Sequence, residues 1–131
     1  MLLALAAALT LAASPCKIVT ATDAAAVLGG PVGKPKAQVL GLYQSCTYGR
    51  GTRALTVQTR PLAKGDFAKS AKANPKPVVP VPGLGTPAYF VANFILLVWR
   101  DGTEATFSIS GTSGSPLAAE KALAKKVLKR I

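Results

Sequence analysis

Residues 94–110 read Phe94-Ile95-Leu96-Leu97-Val98-Trp99-Arg100-Asp101-Gly102-Thr103-Glu104-Ala105-Thr106-Phe107-Ser108-Ile109-Ser110. Two β-rich runs flank an Asp-Gly pair, the preferred two-residue turn of type I′. The turn sets the register: Arg100 faces Thr103, Trp99 faces Glu104 and Val98 faces Ala105. Leu96–Phe107 and Phe94–Ile109 follow on the face of Val98–Ala105. That face is continuously apolar and reads as the core side. The other face carries Ile95, Leu97 and Trp99 opposite Ser108, Thr106 and Glu104. A strand apolar on both faces is either covered twice or floors a binding groove. Ile95, Leu97 and Trp99 are therefore a candidate apolar docking face for a partner protein or a small apolar ligand.

Working outward, Ala54–Thr59 alternates apolar and polar with period two, and residues 46–60 read as a second hairpin turning at Gly49-Arg50-Gly51. Val39, Leu40, Leu42 and Tyr43 suggest a strand kinked at Gly41. Thr20-x-x-Asp23 is a capping box ahead of the helical run Ala24–Leu28, and Gly29 suits its left-handed end. Asp66 is placed to cap a short helix over 67–73. Five prolines between Asn74 and Pro87 exclude helix and sheet interior and predict an extended loop. Ser115-Pro116 reads as N-cap and first turn of the last helix. There Leu117, Leu123, Ala124, Val127, Leu128 and Ile131 form one arc, and Lys121, Lys125, Lys126, Lys129 and Arg130 fill the opposite one. Glu120 is the one charge on the apolar side. The order of elements predicts an α+β domain over 16–131. It is a two-layer sandwich, an antiparallel sheet of five or six strands with the N- and C-terminal helices on one face.

Residues 1–15, MLLALAAALTLAASP, carry no charged side chain. As a helix they would span about 20 Å, short of the roughly 30 Å hydrocarbon core, and they fit a secretory signal peptide. An exported chain with two cysteines predicts a Cys16–Cys46 disulfide. Ala13 and Pro15 stand where a lipobox wants a larger apolar residue and a small one, so lipidation of Cys16 is not expected.

The 131 residues include 16 Lys+Arg against 5 Asp+Glu and no His, a formal net charge of +11. Without His, imidazole-based catalysis and His-ligated metals are excluded. Two Cys cannot complete an all-thiolate zinc or iron–sulfur site. Gly29-Gly30-Pro31-Val32-Gly33-Lys34-Pro35 imitates a phosphate loop, but Leu28 stands where its first Gly belongs and Pro35 where Ser/Thr should bind Mg²⁺. The Ser14-x-x-Lys17 spacing lacks its companion motifs. Asp23, Asp66 and Asp101 are assigned to caps and turns, and Glu104 and Glu120 to separate faces, so no carboxylate pair for glycoside hydrolysis is expected. The expectation is a non-enzymatic protein with no cofactor, metal, nucleotide or nucleic acid. Its partner is an anionic envelope lipid or polymer met by the basic arc of the last helix, or an envelope protein.

Beyond these readings, a set of features recurs together. They are Cys16 with the first helix and Leu28-Gly29-Gly30, Ser45-Cys46-Thr47-Tyr48, Val81-Pro82-Gly83-Leu84-Gly85 with Ala88-Tyr89-Phe90, the Asp-Gly hairpin, and the Ala/Lys-rich terminal helix. In these the chain resembles small exported actinobacterial-type proteins and lipoproteins of unknown function. These are similar in pattern to the extracellular sensor domain of PknH-like receptor kinases. The resemblance implies a two-layer α+β domain, pairing of Cys16 with Cys46, and a binding or sensing role at the cell envelope. It transfers no catalytic residue.

Overall fold

A computed structural model describes residues 14–131; the apolar segment 1–13, read above as most of a signal peptide, lies outside the described residues. The chain runs α1 (Pro15–Ile18), α2 (Ala21–Leu28), β1 (Lys36–Leu40), β2 (Tyr43–Arg50), β3 (Arg53–Pro61) and α3 (Lys64–Lys72). It continues through β4 (Val78–Pro80), β5 (Ala88–Val91), β6 (Ile95–Arg100), β7 (Thr103–Ser110) and α4 (Leu117–Val127), ending in a 3₁₀ turn over Leu128–Arg130. All strands join one antiparallel sheet in the order β1-β2-β3-β7-β6-β5-β4. The fold is α+β as expected, with seven strands in place of five or six.

The Asp101-Gly102 turn has φ of 48° and 79°, the two positive values of a type I′ turn. It produces the expected register: Arg100↔Thr103, Trp99↔Glu104, Val98↔Ala105 and Leu96↔Phe107. Leu96, Val98, Ala105 and Phe107 are fully buried. β3 pairs with β7 through Val57↔Phe107 and Leu55↔Ile109, so two meanders meet at the sheet centre. The extra strands come from two places. Gly41, at φ 60°, opens a two-residue turn where a kink was expected, so β1 and β2 form a hairpin. The second hairpin likewise turns at Gly51-Thr52, two residues later than expected. Within the proline-rich segment, Val78–Pro80 pairs with β5 at the sheet edge, where a missing N–H is tolerated. Val81 and Leu84 then tuck into the core.

The core lies between one sheet face and helices α1, α2 and α4: Ile18, Leu28, Leu123 and Val127 meet Cys46, Tyr48, Leu55, Val57, Phe90 and Ile109. Cys16 and Cys46 are bonded across 30 residues with their Cα atoms 5.3 Å apart, and the Tyr48 hydroxyl donates to Val19 O at 2.8 Å. Helix α3 lies on the opposite face. Its Phe67 ring sits 5.6 Å from the ring of Tyr89, whose register partner is Leu97, and Phe67 and Ala71 are buried. The sheet is thus covered from both sides over part of its area, rather than from one. Two expected caps are also displaced. α3 starts three residues before Phe67, so Asp66 stands in its first turn, and α4 starts after Pro116 rather than at it.

Phe94 departs from the expected pairing. Ala92 and Asn93 both adopt positive φ, 58° and 56°, which turns the chain before β6. β6 therefore begins at Ile95, opposite Ser108, and Phe94 is exposed. This leaves the Ile109 N–H without a strand partner on that side. Glu120 supplies one: its Oε2 accepts from Ile109 N at 3.0 Å. Glu120, the one charge expected on the apolar side of this helix, is fully buried on α4, and Glu104 is buried too. The Glu120 Oε1 has no hydrogen-bond partner. Burial pushes the Glu120 carboxyl up to about 8, against the opposing pull of the Ile109 N–H.

Two outcomes follow. Replacing Cys16 and Cys46 together by Ala should lower stability by about 3–4 kcal/mol in urea titrations, the closure entropy of a loop of this length; a loss below about 1 kcal/mol would show that the disulfide does not restrain the chain. Folded Glu120 releases its proton near pH 8 and the unfolded carboxyl near 4.5. The folded state therefore holds the extra proton between those values and loses stability as pH rises through that window. Glu120→Gln keeps an acceptor for Ile109 and cannot ionise. It should flatten stability between pH 5 and 8 and exceed the wild type above pH 8; parallel curves for the two proteins would refute this role.

Candidate functional site

The capping box that starts α2 also organises the basic end of the molecule. Asp23 Oδ2 accepts from the Thr20 N–H at 3.0 Å and the Thr20 hydroxyl at 2.9 Å, and the Asp23 N–H donates to Thr20 Oγ1 at 3.3 Å. Two cations from the chain's other end converge on the same carboxylate. Arg130 Nη1 lies 2.6 Å from Oδ2, and Lys126 Nζ lies 3.1 Å from Oδ1. Arg130 also donates to Ile18 O at 2.9 Å. Burial would raise the Asp23 carboxyl. The Thr20 N–H, Arg130, the Thr20 hydroxyl and Lys126 outweigh it and hold the group well below the usual carboxylate range.

The five cations expected to form one solvated arc therefore divide. Lys126 and Arg130 turn to Asp23. Lys121 lies against the loop at Gly83, where a Cβ would meet its Nζ at 3.3 Å. Lys125 and Lys129 stay exposed, and among the described residues no acid pairs with either. They stand four residues apart, Lys125 in the last turn of α4 and Lys129 in the 3₁₀ turn that follows it. Beside this helix, a groove of about 250 Å³ runs between α2 and α4. Ala26, Val27, Ala119, Ala122 and Leu123 line it, with Asp23 and Lys126 at one end.

A second basic cluster caps the far end of α2. Arg53 donates to Leu28 O at 3.3 Å and Arg50 to Pro31 O at 3.5 Å, so both guanidinia face carbonyls where the helix ends. A Cβ on Gly30 would fall 2.5 Å from Arg50 Nη1. The glycine pair that imitates a phosphate loop thus makes room for an arginine, at a helix C-terminus rather than the N-terminus that phosphate binding uses.

On the other face, Ile95, Leu97 and Trp99 are half-buried. The Trp99 indole N–H donates to Leu62 O at 2.7 Å, and Lys64 Nζ stands 6.0 Å from the ring centre. The segment leading into α3, together with Phe67 over Tyr89, covers this end of the strand with the protein's own chain. Nearby, Arg60 lies 2.9 Å from Glu104, its guanidinium 5.1 Å from the centre of the Tyr43 ring. Glu104 is buried because it belongs to this pair.

Among the described residues, no group of three or more His, Cys, Asp or Glu could hold a metal ion, and no helix is long and apolar enough to cross a membrane. Comparison of the chain with protein-family models, with curated proteins and with solved structures finds no significant match.

Asp23→Asn keeps a weaker cap and removes the charge that holds Lys126 and Arg130. It should cost about 2 kcal/mol at pH 7, combining part of a cap with partly screened ion pairs. The wild type should begin to lose that increment as pH falls below the unfolded carboxyl value of 3.8, so that pH 3 reads the first part of a loss completed only where the folded carboxyl, held well lower, takes up its proton; the variant should show none of it. Urea midpoints at pH 7 and pH 3 measure both; equal acid sensitivity of the two proteins would contradict the role of Asp23.

Proposed function

We propose that the protein is an exported, non-enzymatic binding domain that engages anionic lipid or polymer of the cell envelope through the exposed cations of α4 and the 3₁₀ turn that follows it. The observation that carries this reading is the placement of the acids. Asp23 is held by Lys126 and Arg130, Glu104 by Arg60, and Asp101 by Arg100; Glu120 is sealed in the core. Asp66 is left as the exposed acid with no ion pair among the described residues. The surface field is therefore carried by unmatched cations, which attract polyanions over about a Debye length.

Lys125 and Lys129 are the centre of this face in the proposal, and Lys121 stands beside them. The apolar groove between α2 and α4 lies along the same helix and suits a surface that offers apolar groups beneath its charges. The Cys16–Cys46 disulfide fits a non-reducing compartment, and the uncharged N-terminal segment is read as the export signal. Pro15, assigned to that signal, is buried in α1.

Lys125→Glu with Lys129→Glu should weaken co-sedimentation with phosphatidylglycerol vesicles, or retention of a glycerol-phosphate polymer, at least tenfold, at about 1 kcal/mol per cation near a charged surface. Raising salt from 50 to 500 mM should release the wild type. Unchanged binding by the variant, or no wild-type binding to either polyanion at low salt, would refute the proposal.

A further inference from the structure

The two edges of the sheet differ in a way the anion-binding proposal does not use. An edge strand exposes a row of unpaired N–H and C=O groups, and proteins normally blunt such edges with proline, charge, bulges or a covering segment. The β4 edge is blunted: Pro80 lies within the strand, with Pro75, Pro77 and Pro82 around it. The β1 edge is not. It pairs with β2 alone, all five of its residues are exposed, and no proline lies within it.

Its apolar residues are also unusually open. Val39, Leu40 and Leu42 are 72%, 68% and 69% exposed, and Tyr43 is 39% exposed. Val39 and Leu40 point to opposite faces of the sheet, so no single helix could cover both. The opposite end of the strand is basic. Lys34 and Lys36 stand there, with Arg50 and Arg53 flanking the turn between β2 and β3, and residues 24–65 contain no Asp or Glu.

We propose that β1 is a docking edge for an extended segment of a partner protein. That segment adds as an eighth strand, carrying acidic residues against Lys34 and Lys36 and apolar residues against Val39, Leu40 and Leu42. Backbone pairing gives such an interaction its affinity and the alternating side chains its selectivity. Charge decides between this occupant and a second copy. Two-fold pairing about Gln38 would set Lys36 and Lys34 of each copy against Leu40 and Leu42 of the other. It would also bring together two molecules of net charge +11 over five residues of strand, well short of a stable dimer interface.

The probe is a fluorescein-labelled twelve-residue peptide alternating Val and Thr, with two Glu at each end; its control carries Lys in place of Glu. The disulfide-bonded full chain should bind the Glu peptide at least tenfold more tightly than the control by fluorescence anisotropy. Ala37→Pro removes an outward-facing backbone donor, and Val39→Asp with Leu40→Asp removes the apolar contacts and adds repulsion. Each should weaken binding at least tenfold with an unchanged far-ultraviolet circular dichroism spectrum, since every altered side chain is exposed. Lys125→Glu with Lys129→Glu should leave peptide binding intact, which separates this edge from the α4 face. Peptide binding that survives both β1 variants, or that is lost in the α4 variant alone, would overturn the proposal. So would self-association of the chain, measured by sedimentation, that the β1 variants abolish.

Discussion

The pairing of β3 with β7 is the constraint on which the rest of the structure depends. β1–β3 and β4–β7 are each built from neighbours in sequence, and either set alone would expose an unpaired edge and half a core. Val57↔Phe107 and Leu55↔Ile109 join them across some fifty residues of chain. Once joined, their side chains form one apolar face wide enough for α1, α2 and α4 to bury against. The closure entropy of so long a connection must be overcome before the contacts repay it. The Asp101-Gly102 turn lowers that barrier by presetting β7 against β6, so that a formed hairpin rather than a lone strand meets β3.

The helices are tied to this sheet by polar anchors placed where the ladder fails. Glu120 stands in for strand β6 at Ile109, the first position where β6 no longer runs alongside. Tyr48 reaches from β2 to Val19, in the linker between α1 and α2. The Cys16–Cys46 bond fastens α1 to the same strand. The two hydrogen-bonding anchors, Glu120 and Tyr48, each satisfy a group whose burial without a partner would cost more than the bond itself returns. Glu120 is the imperfect case, since its second oxygen is buried without a partner. A carboxyl that stays protonated leaves less charge to desolvate, which is why the proton and the helix position are coupled there.

How much of this was legible in the sequence depended on the range of the interaction. The register of the Asp-Gly hairpin, the Thr20–Asp23 box and the left-handed Gly29 are set by residues within a few positions of one another, and they appear as read. The turn at Ala92-Asn93 was not legible, because both residues take positive φ without being glycine, and so Phe94 was assigned to a strand it does not join. Gly41-Leu42 looked like a kink because a turn seldom carries an exposed Leu. Helix α3 has only Phe67 and Ala71 to bury, too few to show which face of the sheet it would choose. The division of the basic arc rests on Asp23, which lies 107 residues from Arg130. Helical periodicity places five cations on one side of α4 and says nothing of a carboxylate arriving from the other end of the chain.

That long-range ion pair bears on how so basic a chain stays folded. A net charge of +11 on 131 residues opposes compaction through self-repulsion, and α1, α2 and α4 bring many of the cations to one side of the sheet. Three devices act at that side. The disulfide fixes α1, Asp23 draws Lys126 and Arg130 inward, and the carbonyls at the end of α2 receive Arg50 and Arg53. The acids are few, and Asp23 stands where two cations, Lys126 and Arg130, would otherwise repel each other. The repulsion that remains is carried by exposed side chains such as Lys125 and Lys129. Those charges can be screened only from outside, by salt or by a bound anion, so the same shortage of acids that strains the isolated molecule ties its stability to ionic strength.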